Sequence, residues 1–318
     1  MTVLFPLNKQ TLKGYYMAPS VEGALAYLAT HRGKAQLVAG GTELMPLVQR
    51  HESRISYLVD ISHIRTMKHL SQSGQSLQIG GATTMSMLQE SDLVRLRAPL
   101  LYESARHLGT PKVRHLATIA GNVVSAEGNA DCAVALLALD AETEITNLTG
   151  AQWLPLASLF VRPGVSRVNS TSEIMTSLRF HTLGPGQGEA LCRALTAFER
   201  MAPPSPTHRS PVILALRVSL DGDGQRIDWV SVALGLAHDV PTHLTDVEDA
   251  LQGMSIDDPH TPETFAAMVR EQVALRQKAV SARHRAQEDA PTLADEAARL
   301  ALRAYDRAAQ MARNGLHV

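Results

Sequence analysis

Thr118-Ile119-Ala120-Gly121-Asn122 is the stretch around which this chain is organised. A glycine beside a small residue lets backbone come close to a bound group, and Asn122 adds an amide that both donates and accepts hydrogen bonds. Val123-Val124-Ser125-Ala126 follows, then Glu127-Gly128-Asn129, then an apolar run from Cys132 to Leu139 without a charge. Such a run is a buried helix or strand that anchors the loop from behind. Asp131 stands at its entrance, where a carboxylate either caps a helix N-terminus or holds a ligand hydroxyl. By itself the segment also satisfies a plainer reading, a glycine turn ahead of a capped core helix.

A second segment upstream shifts that balance. Gln36-Leu37-Val38-Ala39-Gly40-Gly41-Thr42-Glu43-Leu44 is a short apolar strand that runs into two glycines, a hydroxyl and a helix start. Consecutive N–H groups in a glycine turn at a helix N-terminus make a concave anion site suited to a phosphate or pyrophosphate. The pattern is not a P-loop, because no Gly-Lys-Ser or Gly-Lys-Thr follows, and a Gly-x-Gly-x-x-Gly dinucleotide fingerprint is missing too.

With both segments in view, the chain resembles the FAD-binding (medium) subunit of the xanthine dehydrogenase and carbon monoxide dehydrogenase family of molybdenum hydroxylases. That family's two FAD loops read approximately Ala-Gly-Gly-Thr-Asp/Glu-Leu and Thr-Ile-Gly-Gly-Asn, and here they stand as Ala39 to Leu44 and Thr118 to Asn122. The likeness continues in order through Leu58-Val59-Asp60-Ile61, Leu77-Gln78-Ile79-Gly80-Gly81-Ala82-Thr83-Thr84, Pro111-Lys112-Val113-Arg114 and the Ala130-Asp131 step. The resemblance implies that Gln36, Leu37, Val38, Ala39, Gly40, Gly41, Thr42, Glu43 and Leu44 wrap the FAD pyrophosphate. It implies that Ala117, Thr118, Gly121, Asn122, Ser125 and Asp131 hold the ribityl and flavin region. Leu108 would face the isoalloxazine ring, and Ile174 with Met175 would lie near the adenine side.

The implied function is electron transfer within a multi-subunit oxidoreductase. A small partner subunit would carry [2Fe-2S] clusters and a large one molybdopterin, with electrons passing through FAD on this chain to NAD⁺, a quinone or oxygen. The cofactor does that chemistry, so no side chain is nominated as a catalytic base. The implied fold is α+β: a two-subdomain FAD-binding fold of the vanillyl-alcohol-oxidase/PCMH type over 1–183, split near 62. A small domain of a three-stranded antiparallel sheet plus helices would follow over 189–290, then a C-terminal helix over 291–318. Three departures stand out. Ala120 replaces the first glycine of the Gly-Gly pair, which matters if that position needs positive φ. Glu199 follows Phe198 where the family usually has lysine, reversing a charge near the cofactor's edge. A proline-rich stretch from Arg200 to Pro211 replaces a charged loop. Two alternatives stand beside this reading: a stand-alone FAD oxidoreductase of the same broad fold, and a flavin-free scaffold subunit, which the three departures motivate.

Composition bounds the rest. The 318 residues suffice for roughly two domains, each with its own core, and 45% hydrophobic with 19% charged residues is ordinary for a soluble protein. A formal net charge of −1 gives no reason to invoke nucleic acid or an anionic membrane. No apolar run approaches the roughly 18 residues of a membrane span, and Met1 to Lys9 lacks a secretory pattern, so the cytoplasm is expected. Cys132 and Cys192 stand far apart with no Cys-x-x-Cys, so any iron–sulfur cluster belongs to another subunit, and both cysteines are expected in cores. The thirteen histidines are scattered, and no metal site is expected.

Local patterns predict a helix capped by Ser20, strands at Leu37-Val38 and Tyr57 to Ile61, and a short helix from Leu44. Short strands are predicted near Met67 to Ser71, Leu77 to Gly80 and Glu142 to Asn147, with helices over Met85 to Glu90 and Leu93 to Leu108. Beyond a Gly184 to Gly188 linker, strands are predicted at Ala190 to Phe198, Val212 to Leu220 and Arg226 to Leu236, the last two joined by an Asp221-Gly222-Asp223-Gly224 turn. Helices near Asp246 to Gln252 and Glu263 to Arg283 follow. A final helix over Thr292 to Asn314 carries a stripe of Leu293, Ala297, Leu300, Ala304, Ala308 and Met311, which is expected to pack on its own domain.

Overall fold

The computed structural model describes residues 12–50, 55–182, 194–202, 210–284 and 290–314. Cys192, the Gly184 to Gly188 linker and prolines 203, 204 and 206 lie outside the described residues.

The first unit consists of β1 (Gly14–Met17), α1 (Val21–Thr30), β2 (Ala35–Val38), α2 (Leu44–Gln49) and β3 (Tyr57–Asp60). Its three strands are parallel in the order β1-β3-β2, with Gly14 and Ala35 both opposite Tyr57. Ser20 caps α1 as expected, its hydroxyl accepting from the Gly23 N–H at 3.1 Å. The helix then buries Ala24, Leu25 and Leu28 against Ala35, Val59 and Ile61. The glycine loop after β2 therefore leaves from the carboxyl end of a parallel strand, where such sheets bind ligands.

The second unit follows the chain through β4 (Leu70–Ser73), β5 (Ser76–Gly80), α3 (Met85–Glu90), α4 (Asp92–Arg97), α5 (Pro99–His107), α6 (Pro111–Leu116), α7 (Ile119–Val124) and α8 (Asp131–Ala138). It continues as β6 (Glu142–Asn147), β7 (Gly150–Pro155), a small ribbon of β8 (Phe160–Arg162) and β9 (Val165–Ser166), and β10 (Ile174–His181). Five strands form an antiparallel sheet ordered β4-β5-β10-β6-β7. Two expectations are corrected here and one strand is new. The single helix over Leu93 to Leu108 is two, because Pro99 opens α5 and Ala98 leaves helical geometry at φ −145°. The strand near Met67 starts later, at Leu70, after a 3-10 turn over Arg65–Met67. The central strand β10 was not anticipated at all. Its first five residues are buried in succession, so it lacks the in-out alternation that marks a half-exposed strand.

The third unit holds β11 (Ala194–Arg200), β12 (Val212–Leu220), β13 (Ile227–Leu236), β14 (Thr242–His243), α9 (Thr245–Leu251), α10 (His260–His284) and α11 (Ala290–Arg313). Its antiparallel sheet is ordered β11-β12-β13-β14, one short strand more than expected. The Asp221 carboxylate organises the predicted hairpin turn, accepting from the N–H groups of Gln225 and Arg226 at 3.0 and 3.2 Å. One face of the sheet packs on α10 and α11, where Ala297, Leu300, Ala304 and Ala308 of the expected stripe are buried. The other face presents Ile213, Ala215 and Ala233 to the core that contains α8. That contact is close because it is glycine on glycine. A Cβ on Gly235 would stand 2.6 Å from both the Gly128 carbonyl oxygen and Val134 Cγ2. The helix α8, apolar from Cys132 onward, is thus sandwiched between the two units, and its first turn faces the cavity described next.

Candidate functional site

A cavity of about 850 Å³ opens where the loop after β2 meets the starts of α7 and α8, toward the upper end of the ~300–1,000 Å³ usual for small-molecule sites. Two glycine loops supply one wall. A Cβ on Gly40 would overlap the Leu116 carbonyl oxygen and lie 2.7 Å from its carbon and 3.0 Å from Ala117 Cα. Gly40 is therefore what lets the first loop touch the second. Gly41 sits at φ +67°, a left-handed conformation that glycine adopts without strain.

The second loop is pinned by the backbone of residues 81–85. Met85 N–H donates to the Ala117 carbonyl (3.0 Å), Ile119 N–H to Thr83 (2.9 Å) and Ala120 N–H to Gly81 (3.1 Å). Thr118 caps α7, its hydroxyl accepting from the Gly121 N–H at 3.2 Å. Ala120 lies within α7 and is not among the residues with positive φ, so its substitution for glycine carries no backbone strain. Its methyl instead fills the space beside Gly81, whose own Cβ would come within 3.1 Å of it. Gly121 is open: a Cβ there would meet only Thr118 Oγ, at 3.0 Å.

Asn122 and Asp131 each have a partner within the chain. Asn122 Oδ1 accepts from Ala133 N–H at 3.0 Å and so caps the first turn of α8. Asp131 is the first residue of that helix, is 4% exposed, and makes no cap. Its carboxylate instead receives Arg200 Nη1 at 3.0 Å, while the same nitrogen donates to the His107 carbonyl at 2.8 Å. Burial pushes the Asp131 pKa up to about 6, against the opposing charge and hydrogen bond of Arg200. Burial and then the Arg200 charge hold the His107 pKa below its ordinary value, and the ring stacks on Phe198 with centroids 6.1 Å apart.

Arg200 is the residue that the sequence reading missed. The pleat of β11 turns Phe198 and Arg200 toward α5 and α8, and Glu199 the other way. Glu199 pairs with Arg303 at 3.2 Å and Arg307 at 3.0 Å on α11. The expected charge reversal at the cofactor's edge is thereby corrected: the acid faces the C-terminal helix and a cation faces the cavity. Alternation from Phe198 was the available signal.

Every residue from Gln36 to Leu44 lines the cavity, as do Leu108, Ala117, Thr118, Gly121, Asn122, Ser125, Asp131 and Met175. Ile174 does not. It is fully buried in the apolar cluster with Ala18, Ile61 and Ala82, because neighbours on a strand face opposite ways. Among the lining residues that the reading also missed are His107, Thr110, Val113, Glu127, Gly164 to Ser166, Ser170 and Glu173. Among the described residues no three His, Cys, Asp or Glu side chains converge on a metal position. Cys132 is buried in the core as expected, its thiol pushed up to about 12 by burial.

Residues 9–180 match the family model described as the FAD binding domain in molybdopterin dehydrogenase. The chain belongs to that family. It is 35% identical over 176 residues to the 6-hydroxypseudooxynicotine dehydrogenase complex subunit alpha of Paenarthrobacter nicotinovorans, covering 55% of this chain and 59% of that one. It is 30% identical over 168 residues to the xanthine dehydrogenase FAD-binding subunit of Escherichia coli O157:H7, covering 52% and 56%. These matches span less than two thirds of either relative's length. Its fold is that of a chain of carbon monoxide dehydrogenase from Hydrogenophaga pseudoflava, with TM-score 0.81 at 21% identity over 94% of this chain and 97% of that one. A chain of quinoline 2-oxidoreductase from Pseudomonas putida 86 aligns with TM-score 0.80 at 20% identity, over 94% and 97%.

The family's cofactor is FAD, and the cavity fits it on three physical grounds. Its volume suits a large ligand, its glycine wall brings backbone without side chains to the cavity as a pyrophosphate needs, and the open side of Gly121 lets a flat group approach the backbone. The family match ends at residue 180, so the strand that brings Arg200 into the cavity wall lies beyond it.

Proposed function

We propose that this chain is the FAD-binding electron-transfer subunit of a molybdenum hydroxylase complex, working with a small [2Fe-2S] subunit and a large molybdopterin subunit. The observation that carries the proposal is the pressing together of two glycine loops at Gly40 and Leu116 into one wall of a cavity of about 850 Å³. In this reading the loop from Gln36 to Leu44 holds the pyrophosphate. Ala117, Thr118, Gly121, Asn122, Ser125 and Asp131 hold the ribityl and flavin region. Leu108 and Met175 supply apolar cover, and Ile174 supports Met175 from behind. When bound, FAD supplies the redox chemistry, taking up electrons and passing them on. The protein's own part is position, shielding and charge: Arg200 holds Asp131 and the His107 carbonyl in one arrangement beside the cofactor.

The relatives named above belong to dehydrogenases, which supports an oxidoreductase role for the complex, with NAD⁺, a quinone or oxygen as the acceptor. Among the described residues no helix is long and apolar enough to cross a membrane, and we place the complex in the cytoplasm. We divide the chain into an FAD-binding domain over 1–183, split near 62, a C-terminal domain over 189–290 and a closing helix over 291–318. The apolar clusters support the boundaries near 62 and 189, and the closing helix shares the cluster of the C-terminal domain.

The test is the visible absorption spectrum of the natively purified protein with its copurifying partners, followed by identification of the released cofactor. Flavin bands with FAD released, and cluster absorbance from a second chain, are expected. A colourless protein that takes up no added FAD would overturn the proposal and favour the scaffold alternative.

A further inference from the structure

At the end of α8 remote from the cavity, the ring of His243 on β14 is held from several sides. Nδ1 stands 3.1 Å from Glu248 Oε1 on α9, and Nε2 stands 3.6 Å from Asp140 Oδ1, just past α8, with the side chain 21% exposed. The Leu137 carbonyl, in the last turn of α8, is a further hydrogen-bond acceptor for the ring. Glu248 is itself fixed, accepting from Val232 N–H at 2.7 Å. Asp140 turns out of the helix at φ +52°.

An imidazole with acceptors at both nitrogens satisfies both only when both carry hydrogen, which makes it the imidazolium. The two carboxylates lie at opposite edges of the ring, so they do not share a point where a metal could sit. The charged groups around the ring are few. Asp140 and Glu248 face it directly, and Arg217 of β12 acts on Asp140 from its other side. Arg276 of α10 is taken up by Asp239 and the Thr242 hydroxyl. The residue opposite on β13 is Ala233. Burial lowers the His243 pKa, but the hydrogen bond and charge of Glu248, with Asp140 and the Leu137 carbonyl, carry it above the ordinary histidine value.

We propose that His243 is a positioning residue for the cavity: as the imidazolium it clamps the C-terminal end of α8 to β14 and α9, and loss of its proton loosens the helix whose first residue is Asp131. The inference rests on the FAD reading above. α8 spans Asp131–Ala138, roughly 12 Å of rigid helix, so its two ends move together. Because the folded-state pKa is raised, the clamp contributes stability in full below about pH 6.5 and loses it as pH rises through the folded value.

The test uses the full chain between about pH 7 and about pH 9, above the transition of Asp131. Thermal unfolding of the FAD-free protein is measured beside FAD affinity, read from the quenching of added FAD fluorescence. FAD affinity should fall about fivefold across this range, the low end of ordinary coupling between sites, and His243→Gln should abolish that dependence. Glu248→Gln and Asp140→Asn should each lower the titration midpoint of the His243 ring seen by NMR and shift the affinity profile with it. Identical profiles for wild type and His243→Gln overturn the proposal. So does an affinity that stays flat while the unfolding temperature moves, since the clamp would then exist without reaching the cavity. Absence of FAD binding at every pH would overturn the FAD assignment and the positioning role together, while the pH dependence of unfolding would still report the clamp.

Discussion

Replacing Gly40 and Gly121 by alanine separates the two duties that a glycine can have at this site. At Gly40 the added methyl would sit on the Leu116 carbonyl, 2.7 Å from its carbon and 3.0 Å from Ala117 Cα. Carbon and carbonyl oxygen do not approach closer than about 3.3 Å, so the two loops must part by more than ~1 Å. Neither side of the contact is a flexible side chain, which places the cost near the upper end of the ~1–3 kcal/mol of an overpacked core. Ala117 and Thr118 move with Leu116, so FAD affinity should fall by about 100-fold if some 3 kcal/mol of site geometry is lost. At Gly121 the methyl meets only Thr118 Oγ, at 3.0 Å, and lies inside α7. There alanine should stabilise the helix by about 0.5–1 kcal/mol while intruding on the space that the ligand needs. Thermal unfolding of FAD-free protein beside a fluorescence titration with FAD distinguishes the two. Gly40→Ala should lower both the unfolding temperature and the affinity; Gly121→Ala should lower the affinity alone. A Gly40→Ala protein that melts and binds FAD like wild type would refute the loop-against-loop reasoning, and a Gly121→Ala protein with full affinity would remove Gly121 from the binding surface.

Three further outcomes are expected. Asp131 keeps its proton to about pH 6 in the folded protein but only to about 3.9 in the unfolded chain, so stability declines as pH rises between those values, by about 3 kcal/mol at most. Urea unfolding of Asp131→Asn should lack that component of the slope, and an unchanged slope would show that Asp131 ionises freely. Arg200→Met leaves the carboxyl buried without its partner; its protonation midpoint should rise further and FAD retention at neutral pH should drop at least tenfold, about 1.4 kcal/mol, as followed by equilibrium dialysis. Glu199→Lys sets a third cation against Arg303 and Arg307 and should cost about 1–2 kcal/mol in denaturant unfolding with FAD affinity unmoved; lost affinity would mean that residue 199 does face the cofactor.

What the sequence made legible is what local chemistry enforces. Ser20 ahead of α1, Asp221 in its hairpin, the stripe along α11 and both glycine loops each fix a few neighbouring torsions through residues close in the chain, so their readings carry over to the structure. Pro99 was an equally local signal, and it divides α4 from α5 where one helix over Leu93 to Leu108 was expected. The strand β10 was hidden for a different reason. A strand covered on both faces loses its period of two. The cavity itself depends on contacts that no window of sequence contains. Nothing near Asn122 in the chain announces that its side chain caps α8 at Ala133, and Arg200 reads as the edge of a proline-rich loop until Asp131 is found beside it. Gly128 and Gly235 are single glycines more than a hundred residues apart, yet together they set how closely β13 approaches α8. A side chain at either one would push the C-terminal sheet away and carry Arg200 with it. The charge of the cavity wall is therefore decided by two backbone positions that hold no charge themselves and lie on a contact, not in a motif.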